Sequence, residues 1–550
     1  MNDNELYFVP LGGAGEFGMN LNAYGYNGKW LIVDCGMGFG DGIRPGIDIL
    51  LPNPKFLEER KRDIVGMVIT HAHEDHIGAI SHLWPRLKCP IYASPFAAEL
   101  IEGRFVEKGM TDLSHLIDVD PGSTIDLHPF QVEMVRMTHS TLEPSLLAIR
   151  TPAGLVVHTG DWKLDPNPVL GERTDEARLR QLGEEGVLAV IGDSTNSTVP
   201  GWTRSEGELE ESLTRVFSKF KNRIGVTCFS SNAARMVSIY RAAAANGRKT
   251  ALVGRSIWRI EDAAREAGYM DDIPDFLTEH ELASTPADKL VVICTGSQGE
   301  PRSALSRISE GDHPYARLER GDAIVFSARP VPGNEKAITA LQSRLAKNGV
   351  QVVTPDEEFV HVSGHPAQEE LTTLYQWLRP ACVIPVHGEY PQLTEHARIA
   401  RDCQVAHTLV PENGQMIRLA PGPIEVVDHV ESGHLALDGT RIVDLDSAAL
   451  RTRQKISFDG VVLCSLVMDR KGRLLVDPAL SAPGLLSSDN DNKGLNASVQ
   501  KLRDGIEALP VELLRRDSDL YESVRLILRK HFSAVCGKKP WIDIHIARVE

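Results

Sequence analysis

Residues 70–76 read Thr-His-Ala-His-Glu-Asp-His, so His71, His73, Asp75 and His76 fall within six positions. Imidazole nitrogens and a carboxylate oxygen are donors of the kind zinc takes, and a centre that does chemistry leaves one coordination position open to water. The chemistry indicated is metal-assisted hydrolysis, in which a bound ion acidifies water and polarises the bond to be cut. Only 19 histidines occur in 550 residues, which makes a chance cluster of three a poor explanation.

Such donors need a rigid seat. Residues 64–69 form an apolar run of strand length and residues 78–83 begin a helical pattern, so the cluster sits on a strand-to-helix turn. Three more donors follow the same rule. His139 comes just after the strand pattern at 132–137, Asp161 just after 154–158, and His387 just after 382–386. Asp34 ends the run at 30–33, where a carboxylate can either orient the histidine loop or serve only its own turn. Asp193 follows the apolar run 187–191 in Gly-Asp-Ser-Thr-Asn. His361 and His365, in His-Val-Ser-Gly-His, are not decided by spacing; core, surface and site are all compatible with it.

A formal Gly-x-Gly-x-x-Gly spans residues 13–18, but strand alternation and an Asn27-Gly28 hairpin turn follow it instead of a helix. The dinucleotide reading is therefore rejected, and the glycines are expected to let backbone pass close to a site. Residues 205–348 alternate helix and strand patterns, which predicts a compact α/β domain with a parallel sheet inserted into the first domain. Its strand-end loops, among them the one carrying Ser231, Asn232 and Arg235, lie where open α/β sheets bind ligands. Residues 421–455 read as closing strands and a polar connector. A small α/β unit follows, with strands at 461–469, 472–477 and 541–547, a Ser/Asp/Asn-rich loop at 486–496, and helices at 497–508 and 511–532.

The formal charge of −16 argues against a nucleic-acid partner if taken alone. It is uneven, however: residues 451–550 carry 17 Lys+Arg against 13 Asp+Glu, and bound divalent ions would offset local negative charge elsewhere. The eight cysteines lack pairing spacings and several lie in apolar runs, as buried thiols of a reducing compartment do. No run approaches the ~20 apolar residues of a membrane span, and the first residues lack a basic-then-apolar secretory pattern. A cytoplasmic location without a membrane partner is expected.

The His-x-His-x-Asp-His pattern resembles the metal-binding signature of the metallo-β-lactamase superfamily. With the insertion, Gly-Asp-Ser-Thr-Asn, His-Val-Ser-Gly-His, Pro-Val-His-Gly-Glu and the C-terminal unit included, the whole chain resembles the ribonuclease J family. That resemblance implies an α/β architecture: a metallo-β-lactamase αββα sandwich (1–203 and 349–437), an inserted β-CASP α/β domain (204–348), a linker (438–456) and a small C-terminal α/β domain (457–550). It implies two Zn²⁺ per chain, with His71, His73 and His139 on one ion, Asp75, His76 and His387 on the other, and Asp161 bridging; Mn²⁺ or Mg²⁺ would be alternative supports of turnover. Catalytic roles are implied for Asp75, His365 and Asp193. The loop His361, Val362, Ser363, Gly364 and His365 is implied to hold a substrate phosphate, and Ser231, Asn232 and Arg235 to contact RNA or its 5′ phosphate. The implied activity is 5′-to-3′ exonucleolytic and endonucleolytic cleavage of single-stranded RNA in RNA maturation and mRNA decay, with 5′-monophosphorylated ends preferred. Assembly as a homodimer or homotetramer through the C-terminal domain is implied as well. The competing expectation is another β-CASP nuclease, acting on DNA or at RNA 3′ ends.

Overall fold

The computed structural model describes residues 4–40, 42, 44–486 and 492–549. The chain divides into two compact units, Met1–Phe39 with Leu50–His434, and Gly40–Ile49 with Leu435–Glu550.

The first unit is built on two large sheets. One runs in the order Glu425–His429, Gln415–Ala420, Leu6–Gly12, Leu21–Tyr26, Lys29–Val33, Ile64–Val68, Ile91–Ala93, Leu116–Asp118. The other runs His407–Thr408, Cys382–Val386, Val187–Asp193, Gly154–His158, Ser145–Thr151, Phe130–Arg136, Thr124–Leu127. Strand side chains alternate between faces, and here each face of the second sheet has its own core. Val156, Ala189, Ile191 and Ile384 meet Phe8, Leu31, Val33 and Val68 of the first sheet. Val157, Val190 and Val383 pack outward with Leu179, Leu371, Leu374 and Ile399 of the helices Glu176–Glu185, Gln368–Leu378 and Tyr390–Asp402. Burial on both faces is why these strands read as continuous apolar runs.

Parallel register aligns the strand ends. Val33 pairs with Val68, His158 with Ile191, and Asp193 with Val386. Asp34, the 70–76 turn, Asp161, Asp193 and His387 therefore leave their strands along the carboxyl edges, where parallel sheets present ligand groups.

The insertion carries a five-stranded parallel sheet in the order Lys249–Val253, Leu290–Cys294, Ile224–Thr227, Ala323–Phe326, Gln351–Val353. Its last strand lies beyond residue 348, so the sheet runs past the expected boundary. After residue 12 the chain makes a strand, Leu21–Tyr26, as the hairpin reading required; Asn27 and Gly28 both take positive φ (49° and 72°) in the turn.

The second unit packs Asn492–Glu507 and Asp517–Cys536 against a sheet of Ala479–Ser481, Val461–Asp469 and Trp541–Val549, through Leu466, Leu502, Val524 and Phe532. Three expectations are corrected in this stretch. Residues 472–477 form no strand, and Leu475 and Val476 are exposed. The helix expected at 511–532 is two, Val511–Arg515 and Asp517–Cys536, because Arg516 is extended (φ −108°, ψ 121°). A helix, Ala448–Asp459, starts within the expected linker and runs past its end at residue 456; it is capped by the Ser447 side chain, with only Leu450 buried. Residues 487–491 of the expected Ser/Asp/Asn-rich loop lie outside the described residues, and from Asn492 the chain is helical.

Candidate active site

The carboxylate of Asp161 is the hub. Its Oδ2 lies 3.3 Å from His76 Nε2, 3.5 Å from His387 Nε2, 3.7 Å from His71 Nε2, 3.9 Å from His139 Nε2 and 4.0 Å from His365 Nδ1. Asp75 Oδ2 is 3.0 Å from His387 Nε2, and His139 Nε2 is 3.1 Å from His73 Nδ1. Two groups of four ligand atoms, each spanning less than 4.8 Å, share Asp161: His71, His73, His139 and Asp161, and Asp75, His76, Asp161 and His387.

Neighbouring groups fix the imidazoles. Thr70 donates from N and Oγ1 to the two oxygens of Asp34 (2.8 and 2.9 Å), and His76 Nδ1 donates to the same carboxylate at 2.7 Å. Because the Thr70 hydroxyl hydrogen goes to Asp34, His71 Nδ1–H must be the donor in its 3.0 Å contact with Thr70 Oγ1. His71 Nε2 is then bare; it is buried and has no hydrogen-bond partner among the described residues. His139 Nδ1 donates to the Gly364 carbonyl at 2.6 Å, which leaves its Nε2 without a proton, facing His73 Nδ1. The unpaired lone pair of His71 Nε2, buried beside a carboxylate, is costly unless a cation lies between them. The donor set therefore fits a divalent metal.

Charge supports the same reading. Burial holds His71 and His139 well below the usual imidazole range, and His73 down to about 4, so all three are neutral donors. Burial would lower His387 too, but Asp161, Asp75 and Asp193 outweigh it and hold it up at about 9. The carboxylates thus gather positive charge by one route or another, and a metal ion can take the place of protons. Asp34 and His387 both adopt left-handed backbone (φ 63° and 55°), a strain kept where surrounding structure demands it and frequent at functional sites.

The loop at 361–365 closes one side. His365 Nδ1 lies 2.8 Å from Asp193 Oδ2, whose other oxygen accepts from Thr195 N and Oγ1. Thr195 Oγ1 in turn meets His387 Nδ1 at 2.9 Å. Burial would lower the His365 pKa, yet Asp193 raises it above the ordinary value. Ser363 Oγ accepts from Asn196 Nδ2 at 2.8 Å and from His365 N at 3.2 Å. Gly364 admits no side chain, since a Cβ there would stand 2.8 Å from His139 Cε1.

The remaining expected contacts divide. Ser231 is half-buried at the strand end, while Asn232 is buried and caps the helix Ala233–Ala245 by accepting from Arg235 N. Val362 contributes its carbonyl only, since its side chain is buried. Arg235 corrects the expectation of a substrate contact. It is 1% exposed, and its guanidinium is taken by Glu206 (2.5 and 2.9 Å) and by Ser327 O and Oγ (2.8 and 2.7 Å). His361, packed beside it, is held well below the usual range by burial and by Arg235. Sequence reasoning missed Thr70, Thr195, Asn196 and Asn20, whose Nδ2 reaches the Asp75 carbonyl; their position next to ligand motifs is the signal that was there to read.

Four family descriptions match successive stretches: the metallo-beta-lactamase superfamily over residues 21–206, the ribonuclease J beta-CASP domain over 221–345, the Zn-dependent metallo-hydrolase RNA specificity domain over 357–408, and the ribonuclease J C-terminal domain over 448–549. A ribonuclease J of Sinorhizobium meliloti is 43% identical over all of this chain and 98% of its own length. The chain belongs to the ribonuclease J family. Ribonuclease J of Synechocystis is 37% identical (88% of this chain, 76% of the relative), and that of Thermus thermophilus 33% (98% and 94%). A crystal structure of a protein of unknown function from Enterococcus faecalis shares the fold (TM-score 0.54, 16% identity), covering 75% of this chain and all of that one.

For this ribonuclease J-family chain the Asp34 carboxylate gives a direct test. Outer partners of metal-bound histidines are worth about 10- to 100-fold in metal affinity. Asp34→Ala removes the acceptor for Thr70 and His76 together, so zinc affinity measured by competition with a chromogenic chelator is expected to fall by that order. An unchanged affinity would remove Asp34 from the account.

Proposed function

We propose that the chain is a metal-dependent ribonuclease that shortens single-stranded RNA from its 5′ end and also cuts internally, with two zinc ions held as the two four-residue groups sharing Asp161. The observation that carries this reading is the convergence of five imidazoles on one oxygen of Asp161, beside a loop of phosphate-binding character, in a chain with the insertion of an RNA-processing family. When bound, divalent metal supplies a Lewis acid and a water acidified toward neutral pH.

The protein's own groups then divide the work. Asp75, with one oxygen against His387, presents the other to an incoming water and orients it. His365 has Nδ1 held on Asp193, which leaves Nε2 of the protonated ring to serve the leaving oxygen. As the phosphorus–oxygen bond breaks, His365 gives a proton to the leaving oxygen, and Asp193, which raises its pKa above the ordinary value, favours the protonated ring. The hydroxyl hydrogen of Ser363, whose oxygen already accepts twice, is left to donate to a phosphate oxygen.

A pocket that measures from a terminal phosphate discriminates between ends, and a triphosphate adds bulk and charge to hold. RNA labelled internally and carrying a 5′ monophosphate, triphosphate or hydroxyl should be shortened from the 5′ end several-fold faster in the first case. Equal rates on monophosphate and triphosphate ends would rule out the pocket, and matched DNA degraded as fast as RNA would favour a DNA-processing relative. Self-association is proposed for the second unit, whose Phe458, Leu463 and Trp541 are exposed.

A further inference from the structure

A heavily committed buried charge outside the metal centre is Arg235, and the partners of its guanidinium all lie on other stretches of the chain. Glu206, 6% exposed, begins the turn that leads into the insertion. Arg235 sits on the first helix after the insertion's strand Ile224–Thr227. Ser327 follows the strand Ala323–Phe326 and donates from Oγ to the Val360 carbonyl at 2.6 Å. Arg235 itself reaches the Val362 carbonyl at 3.4 Å. Val360 and Val362 are the residues from which the Ser363-Gly364-His365 loop extends.

The other end of the pair is tied to the metal side. Glu206 N donates to Asp165 Oδ2 at 2.9 Å, and Asp165 is paired with the buried Lys163 at 2.8 Å, two residues beyond Asp161. One continuous chain of contacts thus runs from the segment after Asp161, through Glu206 and Arg235, to the root of the loop bearing His365.

We propose that the Arg235–Glu206 pair is a positioning latch that ties the seat of the inserted domain to the depth of the 361–365 loop, and so to the placement of His365 at the cleft. This rests on the ribonuclease reading and gives it a mechanism for using the insertion. A buried pair is seldom the most stabilising choice, since apolar residues of similar volume often serve stability as well. Its two charges are worth keeping where direction matters: the fork of the guanidinium fixes Glu206, Ser327 and Val362 in one geometry, which no apolar contact does.

The test separates geometry from stability in the full-length, zinc-loaded protein. Arg235→Met and Glu206→Leu each strand one buried charge and should lower the melting temperature. The double variant removes both charges and should recover most of that loss, yet keep kcat on 5′-monophosphorylated RNA at least tenfold below the unmodified protein, with KM and zinc per chain unchanged. Ser327→Ala, which leaves the ion pair and the Arg235 bond to the residue-327 carbonyl in place and removes the hydroxyl that joins Arg235 to Val360, should lower kcat threefold or more with a smaller fall in melting temperature than either charge variant, and decides the matter if the double variant does not fold. A double variant with recovered stability and kcat within tenfold of normal, or a smaller loss than threefold in Ser327→Ala, overturns the latch. So does a rise in KM with kcat intact, which would mean an RNA contact. No hydrolysis by the unmodified protein would instead overturn the ribonuclease reading, and the latch with it.

Discussion

Asp161→Ala is expected to abolish hydrolysis and to strip metal from the protein. Its Oδ2 is the one atom common to both four-residue groups, with His76, His387, His71 and His139 arranged around it. Removing it takes the shared carboxylate from both groups at once and leaves the imidazoles with no common counter-charge. Metal contributes several kcal/mol of transition-state stabilisation in hydrolases of this kind, so the rate should fall by on the order of 10³-fold or more. Elemental analysis of the purified variant should show less zinc per chain than in the unmodified protein. Normal metal content with normal turnover would remove Asp161 from the centre. Circular dichroism should be little changed, because the strands that deliver these residues are fixed by the apolar cores on both faces of the second sheet.

His365→Ala should be nearly as damaging, but in a different way. The residue stands outside the two four-residue groups, in a three-residue group with Asp161 and Asp193 that takes nothing from the 70–76 turn, and its ring is held by Asp193. Metal content should therefore be unaffected while kcat on RNA falls by about 10²- to 10⁴-fold, the usual contribution of a positioned general acid. The loss should be far smaller on bis(p-nitrophenyl) phosphate, whose leaving group departs without a proton. Equal losses on the two substrates would show that His365 does something other than protonate the leaving oxygen.

How much of this was legible in the sequence follows from what each residue depends on. His139 stood out because it follows an alternating strand pattern, and His71, His73, Asp75, His76, Asp161 and His387 because each follows a run buried nearly throughout. Asp193 was visible for the same reason. Arg235 was misread because an arginine at the start of a helix looks solvent-facing; the partner that buries it, Glu206, lies 29 residues earlier and is brought to it only by tertiary packing. Thr195 and Asn196 act through contacts with His387 and Ser363 that span 192 and 167 residues of chain, a separation no local pattern reports. In the second unit the errors came from weak patterning. The helix Ala448–Asp459 has no apolar stripe to announce it, whereas residues 472–477 have strand-like composition without a strand.

The central claim is that this family member hydrolyses RNA through metal held by the Asp161 cluster. The measurement that tests it most directly is degradation of 5′-monophosphorylated single-stranded RNA by one preparation, assayed after exhaustive chelation and again after zinc is restored. The account predicts intact RNA in the first assay and shortened products with released mononucleotides in the second. Full degradation by the chelated protein, with zinc shown to be absent, would contradict it.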